Sequence, residues 1–252
     1  MAQSGGFEMH PLEQFELHSI GGALGHSVNF TQANLFMVIG GLLVLSLLVL
    51  GTRARATVPG RFQSLAELLY EFTHSLTIDQ IGPEGKKFFP FVFTLFVFVL
   101  MGNLLGLIPF TFTYTSHIAI TGALALMVIL MATIVGLVYH GFGWFSYFVP
   151  QGAPVALLPL IVLIEIISYL SRPVSLSMRL FANMMAGHMI LVVFASFAVI
   201  LGSLGAVGIL GALIPFAVNI PLIGFELLVA LLQAYVFAIL TCIYLHDAVH
   251  LH

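Results

Sequence analysis

The sequence predicts an all-α integral membrane protein with about five membrane-crossing helices, an interfacial amphipathic helix, and a last pair of helices that are long, steeply tilted and joined as a hairpin. Only 7% of the 252 residues are charged and 60% are hydrophobic, whereas a soluble domain carries about 25% charged residues. No Asp, Glu, Lys or Arg occurs from Phe88 to Ile164. Several apolar runs approach or exceed the ~20 residues that cross the hydrocarbon core as a helix. Strand-like alternation is absent, which excludes a membrane barrel.

The first part of the chain predicts one span and the orientation of the protein. Residues 1–30 form a polar segment with three Glu and no Lys or Arg, and residues 33–51 form the first span. Five of the seven Lys and Arg residues lie between this span and the next. Because basic connections stay on the cytoplasmic side, we expect residues 1–30 outside and the C-terminus in the cytoplasm.

Residues 61–80 predict an amphipathic helix rather than a span. Leucine and phenylalanine side chains fall on one helical face, while Glu67, Glu71 and His74 lie elsewhere. This pattern is typical of a helix that lies in the membrane interface. The alternative is a helix outside the membrane that packs on the protein itself.

Two single spans and one long hairpin complete the predicted fold. The spans cover residues 88–108 and 118–139, and the hairpin covers 155–201 and 212–246 with a glycine-rich break between them. A helix of about 40 residues is ~60 Å long, which is twice the ~30 Å hydrocarbon thickness. The two hairpin helices must therefore be steeply tilted, bent or partly unwound.

Polar residues follow one face of each hairpin helix. At 100° per residue, a helix over 165–190 places six of them within about 40° of one line, namely Glu165, Ser168, Arg172, Ser175, Arg179 and Asn183. We expect Pro173 to distort this stripe locally, because proline removes a backbone donor. The second helix has a matching face, which carries Asn219, Glu226, Gln233 and Tyr244.

Folding the two helices antiparallel about the break predicts which residues meet. One register sets Gln233 opposite Arg179 and Glu226 opposite His188. Intramembrane ionisable residues cost about 2.5–3.5 kcal/mol each on insertion scales and usually face a cavity or a partner. Histidine transfers protons near neutral pH, and a neighbouring carboxylate changes its pKa. Arginine keeps its proton, so Arg179 suits a fixed barrier or a counter-charge for a carboxylate that comes and goes.

Structural interpretations of the same residues remain open. Arg179 pairs with Glu165 or Glu226 in one of them, and His188 is a packing residue in another. The small polar side chains of Ser168, Ser175 and Asn183 also serve as helix-packing contacts in many membrane proteins. Arg172 alternatively extends to the cytoplasmic interface.

Two segments resemble a known family. The segment SRPVSLSMRLFANMMAGH, followed by LLQAYVFAILTCIYL, is similar to subunit a of the F-type ATP synthases. The likeness is close over the hairpin and looser over the spans, the interfacial helix and NLLGLIP at 103–109. It implies a membrane stator that faces a rotating ring of c subunits, each with a mid-membrane carboxylate. It also implies two aqueous half-channels that open to opposite sides.

The resemblance assigns roles residue by residue. Arg179 matches the family's essential arginine, which attracts the deprotonated ring carboxylate and blocks direct proton passage between the half-channels. Glu165 matches the cytoplasmic-side acid, with Ser168 and Ser175 on the same path. The positions around the arginine and the outer half-channel match Asn183, His188, Glu226 and Gln233.

Variation within the family bears on two further positions. Some bacterial members carry the acid at the position of His188 and the histidine at that of Glu226, and this exchange supports the hairpin register. Some members carry an acid at the position of Gly106, and this chain does not. A proton route through that position is therefore in question here.

The implied partners are the c-subunit ring, b-type subunits of the peripheral stalk, the whole ATP synthase complex, the lipid bilayer and protons, with no nucleic acid, metal or cofactor. The chain is then non-catalytic by itself, and the bacterial inner membrane is favoured over the mitochondrial one. The alternative is a haem-carrying or proton-coupled transport subunit of another membrane complex. Haem needs histidines that face one another, and His188 alone lies deep in a span. A transporter is expected to show inverted repeats, and none is evident.

Overall fold

A computed structural model describes most of the chain, namely residues 31–53, 60–108, 111, 113–149 and 157–250, without the side chains of residues 53, 206 and 207. The predicted polar segment 1–30 lies outside the described residues. The described part is almost entirely helical, with six α-helices and short 3-10 segments. Five of its helices are long and apolar enough to cross a membrane. The predicted fold class, an all-α membrane protein, is confirmed.

The helices begin and end close to the predicted positions, with one exception. They are α1 (Gln32–Arg53), α2 (Arg61–Ile81), α3 (Gly85–Gly106), α4 (Ile118–His140), α5 (Leu158–Gly202) and α6 (Ala206–Val249). The 3-10 segments are Tyr114–Ser116, before α4, and Gly141–Phe148, after it. The exception is α6, which begins six residues earlier than the predicted start at 212.

The glycine-rich break is therefore shorter than predicted. Gly205 ends it with a φ of 87°, a left-handed conformation that favours glycine. Gly208 already lies inside α6, where an added Cβ would stand 2.1 Å from the Leu201 carbonyl oxygen. The glycines thus allow a tight turn and a close approach of two helices, and they do not form an irregular segment. The sequence-based boundary is wrong for this reason.

The centre of the bundle is formed by α3 and the second half of α6. Val92, Val97 and Val99 of α3 are fully buried, or nearly so. In the second half of α6, Ala230, Ala234, Phe237 and Ala238 are fully buried. Small side chains let helix backbones approach closely, which is the usual basis of helix association in membranes. The second half of α6 therefore anchors the hairpin to the bundle.

Most of the surface of α5 is not covered by the rest of the chain. It is continuous over 45 residues, through Pro173, so the polar stripe is not interrupted at that proline. A helix of this length measures ~65 Å, about twice the hydrocarbon thickness, and it must cross a membrane obliquely. Only 6% of the most apolar 18-residue stretch of α5 is buried within the chain.

Helix α2 packs on the bundle and keeps part of its apolar side exposed. Thr73, Leu76 and Thr77 are buried against the bundle, so the helix packs on the protein. Leu65 and Leu68 remain 45% and 62% exposed, as an interfacial position requires.

Candidate functional site

His188 and Glu226 are in contact across the hairpin, as the predicted register requires. Nδ1 of His188 lies against Oε1 of Glu226 as an ion pair, and the side chain of Glu226 is only 4% exposed. Gly187 leaves the space for this carboxylate, because an added Cβ would stand 3.0 Å from Oε1. A carboxylate removed from water needs such a partner to stay charged.

The other nitrogen of His188 faces the end of α3 and the segment after it. Nε2 lies 2.7 Å from the carbonyl oxygen of Gly106 and 2.9 Å from Oγ1 of Thr113. Both ring nitrogens are thus engaged by groups from three different parts of the chain. A side chain held in this way has a fixed orientation and a fixed set of proton partners.

Gln233 does not pair with Arg179, contrary to the predicted register. Its Oε1 instead accepts a hydrogen bond from Nδ2 of Asn183 at 2.9 Å, one turn further along α5. The register drifts because α6 passes more residues than α5 between successive contacts. Near the turn Gly208 approaches Leu201, and at the far end Asp247 pairs with Arg172. Two helices that cross obliquely have no single register.

A cavity of about 250 Å³ lies between the hairpin helices beside the ion pair. Asn183, Gly187 and Glu226 contribute its polar and open part, and the remaining lining is apolar. The volume is sufficient for several water molecules. The Glu226 side chain therefore borders a cavity between the hairpin helices, although both of its carboxylate oxygens are buried.

Arg179 is exposed on the surface of α5. None of the described residues forms a hydrogen bond or an ion pair with it. Its neighbours on the same face of the helix, Ser175 and Asn183, are exposed as well. The open structural interpretations that pair Arg179 with Glu165 or Glu226 are therefore not observed.

Three predicted residues lie toward the Leu158 end of the same helix. Glu165 is half-exposed, and Ser168 and Ser175 are exposed. Within the described ranges, no side chain hydrogen-bonds to the side chains of these residues. They share a helix with Arg179 but are not part of the cluster around His188.

Arg172 has partners that sequence reasoning missed. Nη1 pairs with Oδ2 of Asp247 at 3.2 Å, and Nη2 donates to the Tyr147 hydroxyl at 2.5 Å. Its guanidinium also lies 5.6 Å and 5.2 Å from the ring centroids of Tyr169 and Tyr244. The hairpin geometry contained a signal for this cluster, because it brings the end of α6 beside Arg172.

Asn103 is a second residue that the sequence did not single out as functional. It is fully buried, its Nδ2 donates to the Ala230 carbonyl at 3.2 Å, and its Oδ1 accepts from Thr115 at 2.9 Å. It therefore fixes α6 one turn from Glu226. No group of three or more metal-ligating side chains occurs among the described residues.

Comparison with known proteins identifies the family. The family described as ATP synthase A chain matches residues 34–246. The chain is 65% identical over 242 residues to ATP synthase subunit a of Granulibacter bethesdensis, with 96% of each chain covered. It is 57% identical over 253 residues to ATP synthase subunit a of Acidiphilium cryptum, with both chains covered in full. With this extent of identity, and with five helices able to cross a membrane, the chain is a multi-pass membrane protein that belongs to the ATP synthase A chain family.

Proposed function

We propose that this chain is the proton-conducting stator subunit of an F-type ATP synthase, and that Arg179 faces the carboxylates of a rotating c-subunit ring. The observation that carries the proposal is an exposed arginine on a membrane helix that is apolar over most of its length. An arginine facing lipid costs at least about 2.5–3.5 kcal/mol on insertion scales. A face that carries one, with no described partner for it, is expected to meet protein rather than lipid.

The chemistry of Arg179 indicates what that partner carries. Because the guanidinium stays protonated, the group that meets it gains most when it is an anion. A ring carboxylate is neutral where it meets lipid and ionises beside water or a fixed cation. Arg179 then stabilises each carboxylate during the short interval in which it has released one proton and not yet bound the next.

The two half-channels follow from the distribution of the remaining polar groups. We assign the outer half-channel to the cavity beside Asn183 and Glu226, with His188 and Gln233 around it. The cytoplasmic half-channel follows Glu165, Ser168 and Ser175 along the exposed face of α5. Arg179 lies between the two groups along the helix, so it separates the two paths.

The orientation and partners complete the proposal. The five basic residues from Arg53 to Lys87 favour the cytoplasm for the connection between the first two spans, which gives an N-terminus outside and a C-terminus inside, in a bacterial inner membrane. The chain is non-catalytic by itself and works with the c ring and b-type stalk subunits. A unit charge moved through 100 mV yields ~2.3 kcal/mol, so several protons must pass for each ATP.

Site-directed cross-linking tests which face meets the ring. Cysteines replace Ser175 and Ala182, which are exposed in the turns on either side of Arg179, in the assembled complex. Both are expected to cross-link to the small ring subunit. Leu42→Cys on α1, at a side chain 59% exposed, is the control and is expected not to do so. The native Cys242 is buried, so we expect little background cross-linking through it. Cross-linking of the control alone would contradict the proposal.

A further inference from the structure

The end of α3 and the segment after it supply two groups that the proposed proton path does not yet use. The carbonyl oxygen of Gly106 lies 2.7 Å from Nε2 of His188. Oγ1 of Thr113 lies 2.9 Å from the same nitrogen. Both come from outside the hairpin, and both reach the ring on the side away from Glu226.

A backbone carbonyl can only accept a hydrogen bond. At 2.7 Å from Gly106, Nε2 must therefore carry a hydrogen. Nδ1 is the ring nitrogen that faces Glu226. The proton that is exchanged within the pair then lies between Nδ1 and Oε1, on the imidazolium when Glu226 is ionised and on the carboxyl when the ring is neutral. The transfer moves one proton and leaves the total charge of the pair unchanged.

The position of Thr113 is fixed by close packing. An added Cβ at Gly106 would stand 2.2 Å from Oγ1 of Thr113, and one at Gly102 would stand 2.5 Å from the Tyr114 ring. Thr113 is 4% exposed, and Tyr114 is fully buried. Any side chain at position 106 would therefore displace the hydroxyl from His188.

The cavity between the hairpin helices reaches Glu226 rather than the Gly106 side of the ring. Its polar lining includes Asn183 and Glu226, so the Glu226 side chain borders the cavity while both of its carboxylate oxygens are buried. Among the described residues, Glu226 of α6 is the charged group that faces His188. The groups from α3 and from the segment after it are a carbonyl and a hydroxyl, and Arg179 is nine residues away on α5, or ~13 Å along the helix.

We propose that Gly106 and Thr113 are positioning residues that keep Nε2 of His188 protonated, so that Glu226 exchanges protons with the cavity and His188 exchanges them only with Glu226. The inference rests on the proposed function, because it specifies the outer half-channel. It also assigns a function to the glycine at position 106. The backbone carbonyl of that residue is the functional group, and a side chain there would displace the Thr113 hydroxyl from His188.

The test compares passive proton flux in membrane vesicles that contain the assembled membrane sector, stripped of its catalytic head, as a function of the pH on the outer side. Thr113→Val removes one acceptor from Nε2–H and keeps the shape of the side chain. The pH above which the flux declines is expected to fall by about 0.5–1 unit, since a hydrogen bond to the charged ring is lost. Thr113→Ser keeps the hydroxyl and is expected to retain the wild-type profile.

Two further variants protect the test against a failure of assembly. Gly106→Ala leaves Thr113 in the sequence but displaces its hydroxyl, so it is expected to shift the profile in the same direction. If the complex with Thr113→Val does not assemble, Thr113→Ala and Thr113→Ser provide the same comparison between variants without and with a hydroxyl at position 113. A wild-type profile in the variants without the hydroxyl, or an equal shift in Thr113→Ser, overturns the inference.

Glu226→Gln separates this inference from the proposed function. It is expected to lose most of the flux if the outer half-channel is assigned correctly, whatever residue stands at 113. Wild-type flux in Glu226→Gln contradicts the proposed function. Lost flux in Glu226→Gln together with a wild-type pH profile in Thr113→Val contradicts the inference alone.

Discussion

Arg172 and Arg179 lie two helical turns apart on the same helix, and they have opposite surroundings. Arg172 pairs with Asp247 at 3.2 Å and lies among three tyrosine rings. Arg179 is exposed, without an ion-pair partner in the described part of the chain. The contrast separates a cation that stabilises the chain itself from one that is available to a partner.

The first prediction concerns the partnered arginine. Asp247→Asn removes the ion pair with Arg172, whose side chain is 21% exposed. We expect a loss of about 1 kcal/mol in the free energy of unfolding, because partly exposed pairs contribute little. ATP-driven proton pumping should stay close to wild type. Thermal dissociation of the detergent-solubilised complex and pumping in vesicles measure the two effects. A loss of pumping without a loss of stability would assign Arg172 to the proton path.

The second prediction concerns the His188–Glu226 pair. Either His188→Gln or Glu226→Gln alone should lower proton pumping at least tenfold, because each leaves a buried polar group without its partner. The double variant His188→Glu with Glu226→His should recover part of the activity, since the two side chains touch. Pumping that is no better in the double variant than in the worse single variant would show that the contact is not used.

The third prediction concerns the space beside the carboxylate. Gly187→Ala places a Cβ 3.0 Å from Oε1 of Glu226, so the carboxylate must shift within its cavity. We expect a fewfold loss of pumping with normal assembly of the complex. Gly224→Ala is the matched control, because an added Cβ there meets no atom within 4 Å. Equal losses in the two variants would attribute the effect to helix propensity rather than to the site.

The sequence predicts the helices well because hydropathy and length decide them. A long apolar run with few charges must form a helix in a membrane, because its backbone polar groups need hydrogen-bond partners within the segment. Accordingly, α1 to α5 begin and end near their predicted positions. The start of α6 was predicted wrongly because glycine serves two purposes. Gly205 provides a positive φ, whereas Gly208 provides a close helix approach, and composition does not distinguish them.

The site could be predicted only in part, for geometric reasons. The contact between His188 and Glu226 lies near the middle of α6, where the drifting register coincides with the simple antiparallel one. Gln233 lies further from the turn, where the oblique crossing has shifted the register to Asn183. Thr113 could not be predicted at all, because its position depends on how a short segment folds back over α3.

The most direct test of the central claim is Arg179→Ala in the assembled complex. ATP-driven proton pumping is measured in vesicles, together with passive proton leak after removal of the catalytic head. Subunit content and ATP hydrolysis serve as controls for assembly. If Arg179 is the counter-charge of the ring carboxylate and the barrier between two half-channels, pumping is lost and the leak is retained or raised. Normal pumping in an assembled complex would contradict this role for Arg179.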